Sequence, residues 1–173
     1  WMDDSVDICR WYGVKCKEGS TVESILLGGN GLIGTIPTEI YQMQNLKFLW
    51  LYSNPVDLSF DGIAQASSLK SLLLDSTNIR SLNGIGLGTS LVEIDVRFNK
   101  LDGPIPSEIS KLVNLETLTC SHNSFTGTVP ELTAIRTLTT LRMGDNSFTG
   151  ALPSFSKHPS LKYIDLSENG LVG

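Results

Sequence analysis

The segment "GGNGLIGTIPTEI" at residues 28–40 keeps its Asn, Leu, Gly, Ile and Pro at the same offsets as "RFNKLDGPIPSEI" at residues 97–109. The residues between these positions differ. In front of the asparagine a second pattern, L-x-x-L-x-L-x-x-N, also recurs, with Val, Ile, Met or Cys at some leucine positions. A pattern that returns at a fixed period of this length indicates a repeat protein. Spaced 22 to 24 residues apart, the seven anchors are Asn30, Asn54, Thr77, Asn99, Asn123, Asn146 and Asn169.

The constant positions have a physical explanation. In an extended segment the two leucines of L-x-L point to one face and the residue between them points to the other. One repeat cannot bury its apolar face alone, so neighbouring repeats must stack their strands in parallel. The asparagine turns the chain after each strand, and its amide can pair with backbone groups that the turn would otherwise bury unsatisfied. The sequence therefore predicts a solenoid with a structural asparagine ladder.

This frame resembles the plant-type leucine-rich repeat over residues 21–173. Upstream, "CRWYGVKC" is similar to that family's N-terminal cap, in which the cysteines corresponding to Cys9 and Cys16 form a disulfide. The resemblance implies an α/β leucine-rich-repeat solenoid, a right-handed superhelix with a parallel β-sheet on its concave face and no catalytic activity. We expect an incomplete cap over residues 1–20, repeats 1–7 over residues 21–173, and no C-terminal cap.

Two repeats depart from the frame. The second and third lack G-x-I-P and read "NPVDLSFDGIAQASS" and "TNIRSLNGIGLGTS" instead. We expect the convex wall of the solenoid to be irregular there.

The net charge limits the possible partners, and the cysteine content indicates the compartment. The formal net charge of −5 argues against binding nucleic acid or anionic lipid, since both would repel the chain. No apolar run reaches the roughly 18 residues that span a bilayer, so a membrane is expected only through segments outside this chain. Three cysteines fit one pair and one buried thiol. A disulfide implies an oxidising compartment, extracellular or lumenal.

Several apparent sites have simpler explanations. The glycine-rich segments at 28–31 and 84–88 lack the lysine and the spacing of nucleotide-binding loops. Cys120 occupies an inward leucine position, whereas His122 and His158 fall in different repeats, which is a poor ligand set for a metal. No Ser, His and acid spacing suggests catalysis, and the outward columns are too mixed for ice binding. We therefore predict no enzyme activity, no metal and no cofactor.

The outward strand positions carry the candidate site. The segment "KFLWLYS" presents Phe48, Trp50 and Tyr52 outward, flanked by Leu26 and Leu73 on the neighbouring strands. Monomers rarely leave such a patch uncovered unless a partner docks there. An alternative is that the rings only stack laterally and stabilise the sheet. A rival binding site is the charged half of the face, where Asp75 and Arg97 could pair across strands: Asp95, Arg97, Arg142 and Asp165.

Three functions are compatible with this architecture. The leading hypothesis is a recognition module of a receptor-like protein that binds a protein, peptide or glycan on its concave face, as the resemblance implies. The second is a secreted inhibitor of a cell-wall-degrading enzyme. The third is a structural docking subunit of a larger assembly.

Overall fold

The computed structural model describes residues 7–17 and 21–173. They form the strands β1 (Val14–Lys17), β2 (Thr21–Leu26), β3 (Gly34–Ile36), β4 (Phe48–Trp50), β5 (Val56–Leu58), β6 (Ser71–Leu73), β7 (Glu93–Asp95), β8 (Asp102–Gly103), β9 (Thr117–Thr119), β10 (Ser124–Thr128), β11 (Thr140–Arg142), β12 (Ser147–Ala151), β13 (Tyr163–Asp165) and β14 (Gly170–Val172). The helices in this part of the chain are short 3₁₀ helices at Ile8–Arg10, Thr38–Gln42, Ile63–Gln65, Ile85–Leu87 and Ser107–Lys111. The helical component of the predicted α/β solenoid is therefore 3₁₀ helix.

One sheet runs along the whole solenoid. Its strand order is β1-β2-β4-β6-β7-β9-β11-β13. β1 is antiparallel to β2, and the remaining neighbours are parallel. The observed register confirms the neighbours that the repeat frame predicts. One outward column, for example, consists of Ser24, Phe48, Ser71, Glu93, Thr117, Thr140 and Tyr163.

The leucines of each L-x-L pair point into the core. In the second repeat Leu49 and Leu51 are 0% and 1% exposed, and Trp50 between them points to the other face because side chains alternate along a strand. Burial of one such leucine contributes about 2 kcal/mol relative to leaving it exposed. The leucines of successive repeats join one continuous core. This core fixes which residues the sheet presents outward.

The asparagine ladder holds the turn after each strand. Asn54 is fully buried, and its Oδ1 accepts hydrogen bonds from the backbone N–H groups of Asn30 and Leu32, both at 2.9 Å. Its Nδ2 donates to the carbonyl groups of Leu27 at 2.8 Å and Leu51 at 2.9 Å. Asn54 therefore links two repeats, whereas Asn30 Nδ2 donates to carbonyls of its own repeat, those of Leu27 and Gly28. The donation of Asn54 from Nδ2 to carbonyls of its own and the preceding repeat recurs at Asn99, Asn123, Asn146 and Asn169.

The convex side is irregular in the third repeat. β3 pairs only with β5, whereas β8, β10, β12 and β14 form a separate four-stranded sheet. No strand of the third repeat joins the two sheets within the described residues. The second repeat also lacks G-x-I-P, yet its strand β5 pairs in parallel with β3, so the irregularity expected there is not found. In the third and fourth repeats, the 3₁₀ helices Ile85–Leu87 and Ser107–Lys111 pack together. They approach so closely that a methyl group added at Gly86 would overlap the backbone of Glu108.

The three cysteines lie in two environments. Cys9 and Cys16 form a disulfide, and β1, which contains Cys16, covers the first edge of the parallel sheet. Cys120 is free and buried. Its burial raises the pKa of the thiol well above the ordinary value. Cys120 therefore stays protonated and serves as a small core residue.

The boundary between cap and repeats remains a prediction. It falls at residues 20 and 21, and residues 18–20 lie outside the described part of the chain. The division into residues 1–20 and 21–173 is thus not tested.

Candidate ligand-binding face

Three aromatic side chains, which we call the aromatic strip, line β4 and its end on the concave face. They are Phe48, Trp50 and Tyr52. The rings of Phe48 and Trp50 meet edge to face, with centroids 6.2 Å apart and planes at 83°, a favourable geometry for aromatic pairs. Phe48 and Trp50 are half-buried, while Tyr52 is 37% exposed. The strip is therefore partly pre-packed and still open to a partner.

Aliphatic side chains extend the strip to both neighbouring strands. The register places Leu26 on β2 and Leu73 on β6 directly beside Trp50. Both leucines are half-buried. The predicted apolar site thus occupies three adjacent strands, and its five residues lie together.

The Tyr52 ring leans towards the first repeat. Any side chain at Gly28 would overlap this ring, so the ring lies against the glycine backbone. Glycine is required at this position because only a residue without Cβ leaves room for the aromatic plane. Part of the strip therefore stacks laterally, as the alternative interpretation of the sequence proposes.

The Trp50 indole is held by a hydrogen-bond chain across three strands. Its Nε1–H donates to Ser71 Oγ on β6 at 3.0 Å. Ser71 Oγ donates in turn to Glu93 Oε2 on β7 at 2.7 Å. The chain fixes the orientation of the indole and ends on a carboxylate. The sequence prediction missed Ser71 and Glu93, although both occupy the outward column that contains Phe48.

The charged half of the face is paired differently from the prediction. Arg97 does not form an ion pair with Asp75 across strands. It binds Asp95 within its own strand segment, with Nε at 3.0 and 3.1 Å from the two carboxylate oxygens and Nη2 at 2.7 Å from Oδ2. The planar guanidinium fits both oxygens at once, and the backbone N–H of Arg97 donates to Asp95 Oδ1 as well at 3.1 Å. This geometry favours Asp95 over Asp75 as the partner of Arg97.

Farther along the face, Arg142 and Asp165 each contact a neighbouring uncharged side chain. The Arg142 guanidinium lies 4.6 Å from the centre of the Tyr163 ring, a cation–π distance. Hydrogen bonds from the Ser167 hydroxyl and backbone N–H lower the pKa of Asp165. The charged residues of the rival site are thus engaged by neighbouring side chains, whereas the aromatic strip, although partly packed, keeps exposed apolar ring surface at Tyr52.

An exposed ring pair at the edge of the face was not predicted. The Phe98 and His122 rings are nearly parallel with centroids 4.2 Å apart, and His122 Nδ1 contacts Asp145 Oδ2 at 2.5 Å. Each of the three precedes a ladder asparagine and has a positive φ, between 53° and 57°. The sequence signal for this cluster is that its three residues occupy the same position in three successive repeats. The repeat frame leaves that position variable.

Within residues 7–17 and 21–173, no group of three or more His, Cys, Asp or Glu side chains could hold a metal ion. No helix of that part is long and apolar enough to cross a membrane.

Comparison with known proteins agrees with this architecture. The family model for the Leucine Rich Repeat matches residues 90–112 and 114–134. Serine/threonine-protein kinase BRI1-like 1 of Arabidopsis thaliana is 35% identical over 170 residues, covering 95% of this chain and 13% of that protein. The Arabidopsis HAESA ectodomain, crystallised with an extended IDA peptide hormone, superposes with a TM-score of 0.90 at 29% identity, over 98% of this chain and 30% of that one. Pollen receptor kinase 3 gives 0.84 at 28% identity, over 96% and 83%.

The fold and these similarities define a leucine-rich-repeat protein. Its repeats are of the plant type, and the chain is similar to the ectodomains of plant receptor-like kinases. It spans 13% of the length of BRI1-like 1 and of BRI1-like 3.

Proposed function

We propose that this chain is a non-catalytic recognition module of a receptor-like protein, and that it binds a protein or peptide on its concave face. The observation that carries the proposal is the aromatic strip with Leu26 and Leu73. Outward strand positions of a solenoid are normally polar because no other element covers them. Aromatic residues also dominate the energy of many protein interfaces.

The solved relatives support a peptide as the ligand. The HAESA ectodomain is described in complex with the peptide hormone IDA. By this similarity we propose that the chain acts outside the cell, in a compartment where the disulfide between Cys9 and Cys16 persists.

The test is selection of peptides from a displayed library of random dodecapeptides. The wild-type chain should enrich peptides whose affinity falls about thirtyfold, or about 2 kcal/mol, in Trp50→Ala, because the substitution removes the largest ring from the strip. Affinity can be measured by titration calorimetry, and circular dichroism and melting should stay close to wild type.

Tyr12→Ala is the matched control. Tyr12 is 82% exposed and lies in the cap, outside every strand of the sheet, so its loss should leave affinity unchanged. Enriched peptides that bind Trp50→Ala as tightly as wild type would contradict the proposed face.

A further inference from the structure

Two carboxylates beside the aromatic strip have no cationic partner of their own. Within the described residues neither Asp75 nor Glu93 takes part in an ion pair. The side-chain donor to Glu93 is the Ser71 hydroxyl, and the one to Asp75 is the Ser76 hydroxyl, at 3.4 Å. Both acids are half-buried. Much of their hydrogen-bonding capacity is therefore free.

Glu93 is coupled to the aromatic strip. The hydrogen-bond chain through Ser71 places this carboxylate one hydroxyl group away from the Trp50 indole. Because the indole N–H donates in the plane of the ring, the Glu93 carboxylate lies off the ring edge, two hydrogen bonds from Nε1. A cation paired with this carboxylate would therefore lie beside the aromatic strip and leave the ring face for an apolar residue.

Asp75 is only partly compensated by a cation, because Arg97 lowers its pKa less than burial and Asp95 together raise it. It lies between Tyr52 and Arg97 in the outward register, but the Arg97 guanidinium is bound by Asp95. Partial burial, and then the negative charge of Asp95, raise the pKa of the Asp75 carboxyl above its ordinary range. Asp75 and Asp95 share the guanidinium of Arg97, and Glu93 has no ion-pair partner among the described residues, so the acids outnumber this cation on this part of the face.

We propose that the concave face binds a basic peptide, with an apolar residue packed on Trp50 and separate arginine or lysine side chains paired with Glu93 and Asp75. This inference rests on the proposed function and deepens it. Charge complementarity selects the occupant, because an acidic peptide would be repelled by the excess charge.

The sheet geometry requires that Glu93 and Asp75 pair with two different basic side chains of the peptide. Glu93 lies opposite Ser71, and Asp75 follows four residues after Ser71, about 13 Å farther along the strand direction. One cation cannot reach both acids. Arginine suits the Glu93 position better than lysine, because its planar guanidinium can bind both oxygens of a carboxylate at once.

The dodecapeptide library is again the probe. Trp50-dependent clones should be enriched in Arg and Lys over Asp and Glu, and replacing those arginines by citrulline, the neutral isostere, should weaken binding about tenfold. Glu93→Gln should weaken binding of the same basic peptide about tenfold while still accepting the Ser71 hydrogen bond. Glu131→Gln, which removes an equal charge at an exposed position outside the sheet, should change affinity less than twofold.

Asp75→Asn separates a binding role from a structural role, because loss of a binding group weakens affinity without lowering the melting temperature. Because the folded state raises the Asp75 pKa, ionisation of this group opposes folding, and stability is lost as pH rises through the folded pKa. The variant should therefore melt higher than wild type at pH 7 and equally at pH 3, while binding the basic peptide more weakly.

The two levels of the proposal fail separately. If no Trp50-dependent clone emerges, the proposed binding face is wrong. If such clones emerge without basic residues, or bind Glu93→Gln and Asp75→Asn as tightly as wild type, the basic-ligand inference is overturned and the binding face stands.

Discussion

Replacing Asn54 with alanine should lower the free energy of unfolding by about 4 kcal/mol. The substitution removes the donors to Leu27 and Leu51 and the acceptor for Asn30 and Leu32. The site is fully buried, so these backbone groups would lie unpaired, at a cost of about 1–3 kcal/mol for each one that water cannot reach. Urea unfolding followed by circular dichroism measures the loss.

The control is Asn78→Ala on the surface of the next repeat. Asn78 is exposed and donates one side-chain hydrogen bond, to the Pro55 carbonyl at 3.1 Å. Its replacement should cost less than about 0.5 kcal/mol. Equal losses for Asn54→Ala and Asn78→Ala would show that the ladder does not join the repeats.

Gly86→Ala should destabilise the protein by about 3 kcal/mol. The added methyl group would overlap the Glu108 carbonyl and Cβ, and backbone atoms cannot rotate away as a side-chain end can. The 3₁₀ helix Ser107–Lys111 is held in place by the buried side chains of Ile109 and Leu112. Relief requires separation of the third and fourth repeats on the convex side, and overpacking of this kind costs about 1–3 kcal/mol or more.

The preceding repeat offers a matched control. Ala64 occupies the position in "DGIAQASSL" that Gly86 occupies in "NGIGLGTSL", and it is exposed. Ala64→Gly should cost less than about 1 kcal/mol. If Gly86→Ala unfolds at the same urea concentration as wild type, the close contact between these helices does not exist in solution.

The repeat frame predicted the backbone because the core enforces it. A shift of one residue in the strand segment of the second repeat, for example, would turn Leu49 and Leu51 outward, at a cost of about 2 kcal/mol for each leucine. No alternative register competes with that pattern. The same argument predicts the outward columns, and with them the positions of the aromatic strip.

The side-chain contacts of the face were harder to predict, because the energy differences between alternative contacts are small. Arg97 could reach either Asp75 or Asp95, and a partly exposed ion pair differs from its competitor by about 1 kcal/mol or less. The choice depends on side-chain rotamers, which the frame does not encode. The contact of Gly86 with Glu108 depends on the separation of two convex segments that match no repeat consensus. Sequence periodicity carries no information about such distances.

Photocrosslinking can show directly whether a ligand binds the concave face. Two leucines of the third repeat offer opposite faces, since Leu73 lies on the concave sheet beside Trp50 and Leu87 is 51% exposed on a convex helix. A benzophenone side chain at each position, irradiated with a selected peptide, reports which face is within reach. We expect crosslinking at position 73, competed by unlabelled peptide, and none above background at position 87. Competed crosslinking at position 87 alone would contradict the account.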